Sequence, residues 1–167
     1  MTAVTRERRR QALRRTSGGL ALAWASLLSL GAAAAGQWSA TCFSASEIEA
    51  DQALRYVTRV MVVGDTCRSP VYSRFLQRNG QSVASYRDEI ARHFQRGGDS
   101  GVGFDRYVTN LANDESRAIG GQNAAVLCTG AESDFLAAAD LLGPVDLRRL
   151  ARARAAADQT TYRRCSN

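Results

Sequence analysis

Few residues in this 167-residue chain could do chemistry: four cysteines, one histidine and three groups of closely spaced acids. Cys42, Cys67, Cys128 and Cys165 form an even set without C-x-x-C or C-x-x-C-H spacing, so neither a thioredoxin-like redox pair nor covalent haem is expected. Their wide separation does not suit a zinc site, whose ligands usually come in short pairs. They read instead as two structural disulfides, which leaves no free thiolate for nucleophilic catalysis. His93 has no Cys–His or Ser–His–Asp pattern to join, so a structural role is expected of it.

Paired carboxylates could serve glycan hydrolysis, which needs two acids a set distance apart. Asp88-Glu89, Asp114-Glu115 and the Glu47/Glu49/Asp51 cluster qualify by composition only. Each reads more simply as a solvated helix face or, at Glu47, as an acid favoured by a helix N-terminus. The glycine-rich run from Arg96 to Phe104 follows a helix instead of a strand and lacks alternating oxygen ligands. It is therefore expected to be an interhelix loop, holding neither phosphate nor calcium. No cofactor and no metal ion are expected.

Between Val71 and Phe94, aromatic residues alternate with arginines, the two side-chain types that dominate binding hot spots. Tyr72, Arg74, Phe75, Arg78, Tyr86, Arg87 and His93 are the candidates for a partner-facing surface. The competing reading puts the aromatics in the core and the arginines in water. A basic amphipathic stretch from Leu147 to Ala157 reads as an outer helix of a bundle or as a contact for an anionic surface.

The elements that must position these residues are helical throughout. Ser44 three residues before Glu47 forms a capping-box pattern. Ile48, Ala50, Ala53, Leu54, Val57 and Met61 then trace a stripe over residues 44–63, with Gly64 as the expected C-cap. Pro70 suits the first position of a short second helix, expected to stop at Asn79-Gly80. A third helix is expected from Ser82 to Gln95. A fourth carries Phe104, Tyr107, Val108, Leu111 and Ala112 on one face and ends at Gly120-Gly121. A fifth is expected over 122–142 and a sixth from Asp146 to Tyr162. The fold class expected is all-α, a bundle of five to six helices stapled by two disulfides.

Of the three possible pairings, Cys42–Cys67 is disfavoured, because a helix between them would span about 28 Å where bridged Cα atoms lie within about 7 Å. The preference is Cys67–Cys128 with Cys42–Cys165, which ties the chain ends together. In a strict up-and-down bundle Cys42 and Cys165 would fall at opposite ends, so that pairing requires the tails to fold over.

Six arginines against one glutamate give residues 1–35 a net charge of +5, and 16 arginines against 15 acids give the remainder +1. The pI of 9.7 thus belongs to the N-terminal segment, and a nearly neutral body lacks the clustered positive face that nucleic acid requires. The cationic start, the uncharged Leu20–Ala35 run and the small residues at its end read as a signal peptide cleaved after Ala35, or after Ala40. The alternative is an uncleaved anchor with membrane contact through residues 18–36. The domain plan is 1–35 leader or anchor, 36–43 linker and 44–167 helical domain. These features lead to an exported, periplasmic, non-catalytic binding or accessory protein with a protein partner in the cell envelope. A single-span anchored structural subunit and a cell-wall hydrolase with paired carboxylates are the alternatives.

Overall fold

A computed structural model describes residues 42–99, 101–158 and 161–166. The leader with its expected cleavage or anchoring, residues 1–35, and most of the 36–43 linker lie outside them. The described residues form six helices: α1 (Ala45–Thr66), α2 (Val71–Arg96), α3 (Val102–Ile119), α4 (Ala124–Thr129), α5 (Ala131–Leu141) and α6 (Pro144–Ala157). The described residues are all-helical apart from one isolated bridge between Phe43 and Arg164. No helix among the described residues is long and apolar enough to cross a membrane.

α1 is the central element. Thirteen of its 22 residues are buried, more than a one-sided stripe can supply, because α2, α3, α5 and α6 all pack against it. Its start is the capping box foreseen from the sequence: Ser44 Oγ accepts from the Glu47 amide at 3.2 Å, and Glu47 Oε2 accepts from the Ser44 amide at 2.8 Å. Gly64 does not end it. The helix runs on to Thr66, with Gly64 inside it and 3.7 Å from Tyr72 Cβ for a built Cβ. It closes instead on Arg68, at φ +52°. The Ser69 amide reaches back to Gly64 O at 2.8 Å and the Arg68 amide to Asp65 O at 3.1 Å. That is the left-handed cap glycine usually supplies, here adopted by an arginine.

The expected break at Asn79-Gly80 does not occur: α2 is one helix of 26 residues. Phe75, Asn79, Val83, Ile90 and His93 form a single buried line through the junction. Asn79 is consumed by it, Nδ2 donating to Phe75 O at 3.0 Å and to Leu142 O at 2.9 Å, which satisfies a carbonyl at the end of α5. The burial of Phe75 and Ile90, at about 1.5–3 kcal/mol each, outweighs the roughly 1 kcal/mol that a glycine costs a helix.

The reverse happens over 122–142, where one helix was expected and two form. Cys128 on α4 bonds Cys67 at the C-terminal end of α1. α5 instead lies against α2, with Leu136 and Ala139 buried and Asp140 bound by Arg74. The chain changes direction at Gly130 to meet both. The sixth helix stops at Ala157 instead of Tyr162. Arg164 Nη2 donates to the open carbonyls of Ala155 at 2.9 Å and Asp158 at 2.7 Å. The tail then folds over the start of α1 and runs beside Phe43, whose amide donates to Arg163 O at 2.8 Å while Cys165 N donates to Phe43 O at 3.1 Å. Cys42 and Cys165 close this strap with the second disulfide.

Candidate functional site

The polar residues of α1 fall into two groups, one inside the domain and one at a cleft. Inside, Asp51 is 2% exposed and collects three donors. Tyr107 OH from α3 donates to Oδ1 at 2.7 Å, Arg55 Nε donates to Oδ2 at 2.6 Å, and Tyr162 OH of the tail also donates to Oδ2. Burial, and secondarily the Asp51 carboxylate, pushes the Tyr162 phenol up to about 12 and Tyr107 higher still. Both therefore stay protonated donors at any physiological pH. Gln52 Nε2 adds bonds to Tyr162 OH at 2.9 Å and Asp158 Oδ2 at 3.3 Å.

One turn earlier, Glu47 is 1% exposed. Besides capping α1 it accepts from Arg96, and its Oε2 lies 3.3 Å from His93 Nδ1. His93 itself is buried and stacked on Phe43 with ring centroids 3.9 Å apart. Burial lowers its pKa below the ordinary 6.5, so the ring is neutral near pH 7. This buried ring sits behind the Cys42–Cys165 strap, and the acids around it spend their oxygens on helix caps, tyrosines and arginines. What the arrangement does chemically is hold three helices and the tail in register.

The other acid pairs are on the surface. Glu89 accepts from Ser46 Oγ at 2.9 Å and pairs with Arg92, which with Ser46 holds its carboxyl below the usual range. Asp114 pairs with Arg117. No group of three or more His, Cys, Asp or Glu residues among the described ones could hold a metal ion.

The candidate partner surface from the sequence is only partly a surface. Phe75 is fully buried, tilted against Tyr56 with centroids 6.2 Å apart, and His93 is buried as above; both are core, because they fall on the inward line of α2. Tyr72 is half-buried beside a small apolar cavity of about 70 Å³ between α1, α2 and α3. Arg87 lies over the Phe104 ring at 5.2 Å. Arg74 clamps Asp140 with Nε–Oδ1 at 2.8 Å and Nη2–Oδ2 at 2.9 Å, and Arg78 donates to the Asp140 carbonyl. These guanidinium groups, Arg74 first, hold the Asp140 carboxyl at about 2.

Arg78 and Tyr86 share an open cleft of about 540 Å³ where α1, α2 and α6 diverge. Glu49, Arg78, Gln81, Ser82, Ser85, Tyr86, Pro144 and Arg148 line it. Tyr86 OH donates to Glu49 Oε1 at 3.2 Å and Arg152 Nε donates to Glu49 Oε2 at 2.9 Å. Sequence reasoning missed Gln81, Ser82, Ser85 and Arg148. Gln81 was expected in an interhelix turn and the two serines in the first turn of a separate third helix, and only the unbroken α2 lines them up with Arg78 along one edge. The spacing of Pro144, Arg148 and Arg152 at i, i+4 and i+8 was the readable sign that one edge of α6 faces a neighbour.

No protein-family model matches this chain, and comparison with curated proteins and with solved structures returns no significant match.

Proposed function

We propose that this protein is an exported binding protein of the bacterial cell envelope, non-catalytic and accessory in role, which engages a protein partner through the face where α1, α2 and α6 meet. Two disulfides in a domain of this size belong to an oxidising compartment outside the cytoplasm. The periplasm is the finer assignment that the cationic, apolar leader supports. The observation that carries the reading is a division of labour among polar groups. Glu47, Asp51 and His93 are buried and committed to the fold, whereas Gln81, Ser82 and Ser85 line an open cleft and hydrogen-bond to no described residue. Polar side chains gathered in a concavity without being needed to build it are the ordinary makings of a recognition site.

Photo-crosslinking in the source cells tests it. A photoreactive residue at Gln81 should yield one defined adduct, lost when Arg148→Glu is added, and the same probe at Asn113 on α3 should not. Equal labelling from both positions, or no adduct from Gln81, overturns the proposal.

A further inference from the structure

The charges around the cleft are not balanced, and the imbalance indicates what the partner presents. Glu49 is neutralised by Arg152, and Asp140 is shared by Arg74 and Arg78, which leaves that trio one positive charge in excess. Arg148, exposed on α6, shares the cleft with Tyr86 and pairs with no carboxylate among the described residues. The cleft therefore carries a surplus of two guanidinium charges, from Arg78 and Arg148, on either side of the Gln81, Ser82 and Ser85 hydroxyl and amide groups. The first turn of α6 begins at its edge with Pro144, and the N-cap Gly143 offers no side-chain acceptor. A planar guanidinium is shaped to receive a carboxylate through two parallel hydrogen bonds. The other lining groups, Glu49 and Tyr86, are tied to each other, which leaves Ser82, Ser85 and Gln81 between the two arginine-bearing helices.

We infer that the cleft between α1, α2 and α6 receives a short acidic segment of the partner protein, with Arg148 and Arg78 taking its carboxylates and the hydroxyl and amide groups of Ser82, Ser85 and Gln81 bonding its backbone. This deepens the binding reading above and rests on it. Charge complementarity of this kind steers encounter and sets specificity, and it weakens with salt.

The test uses the oxidised protein and a fluorescein-labelled hexapeptide with two adjacent glutamates, followed by anisotropy. The glutamate peptide should bind at least tenfold more tightly than its glutamine counterpart. Arg148→Gln and 0.5 M NaCl should each weaken it about tenfold, and Arg117→Gln, a comparable change on α3, should leave it unaltered. Equal affinity for both peptides, or indifference to Arg148→Gln, overturns the inference. So does a preference for free glucuronate over the peptide, which would assign the cleft to small acids. A Gln81 adduct in cells together with no glutamate-peptide binding would sink the acidic segment while leaving the binding function standing.

Discussion

Asp51 joins more parts of the chain than any other acid described: Arg55 on its own helix, Tyr107 on α3 and Tyr162 on the tail all donate to it. A carboxylate taken out of water is tolerable only when its lone pairs are filled, and here they are. Replacing it leaves two half-buried phenols without that acceptor and Arg55 without a counter-ion, each a desolvation cost. Asp51→Ala should therefore lower stability by about 3 kcal/mol, within the 3–5 kcal/mol range for breaking a buried pair, as read from urea unfolding followed by circular dichroism. Glu49, two residues away, is semi-exposed at the cleft, and Glu49→Gln should cost less than about 1 kcal/mol. The contrast separates a buried structural acid from a cleft-lining one on the same helix.

At the level of the helices, α2 shows how packing overrides local preference. Asn79-Gly80 is a turn signal in sequence, and neither residue is a good helix former. The helix continues because Phe75, Asn79 and Val83 need one continuous inward face, and because the Asn79 amide closes the end of α5. Gly80 contributes nothing to that face: a Cβ built on it would meet no atom within 4 Å, and its φ is not positive. Gly80→Ala should accordingly stabilise the protein by about 0.5–1 kcal/mol, raising the thermal midpoint without altering cleft binding. A fall in the midpoint would mean that the helix is interrupted there in solution. The same logic explains why the 122–142 stretch was misread as one helix. Its apolar spacing is helical on both sides of Gly130, but the two halves answer to different anchors.

For the whole molecule, the two disulfides do different work. Cys42–Cys165 closes a separation of 123 residues and Cys67–Cys128 one of 61. In the chain-entropy picture both restrict the unfolded chain by about 4–5 kcal/mol, since the cost grows only with the logarithm of loop length. The native elements they hold are unequal. α4 has six residues and buries Leu127 alone, whereas the strap also carries Tyr162 to Asp51 and Phe43 to His93. The Cys67→Ser/Cys128→Ser variant should therefore lose hydrogen-exchange protection first in α4, with the strap intact. Cys42→Ser/Cys165→Ser should expose residues 161–166 and the start of α1 while α4 stays protected. Uniform loss of protection in either variant would show that the domain unfolds as one unit and that the staples are not local.

Sequence alone determined what depends on composition and near-neighbour spacing: an all-helical domain, the capping box at Ser44 and Glu47, the inward stripe of α1, two disulfides and a charge surplus that falls mostly within residues 1–35. It also supplied a preference for the cysteine pairing, from the length of a helix against the reach of a disulfide. The tertiary structure decided what depends on residues distant in the chain. It made Phe75 and His93 core and turned Glu47 and Asp51 inward. It joined two expected helices into α2 and split another at Gly130. It also drew Gln81, Ser82 and Ser85 together with Arg148, more than sixty residues away, into one cleft. The physical reason is that local preferences are worth less than about 1 kcal/mol per residue. Burying one large side chain, or satisfying one buried charge, is worth several times that.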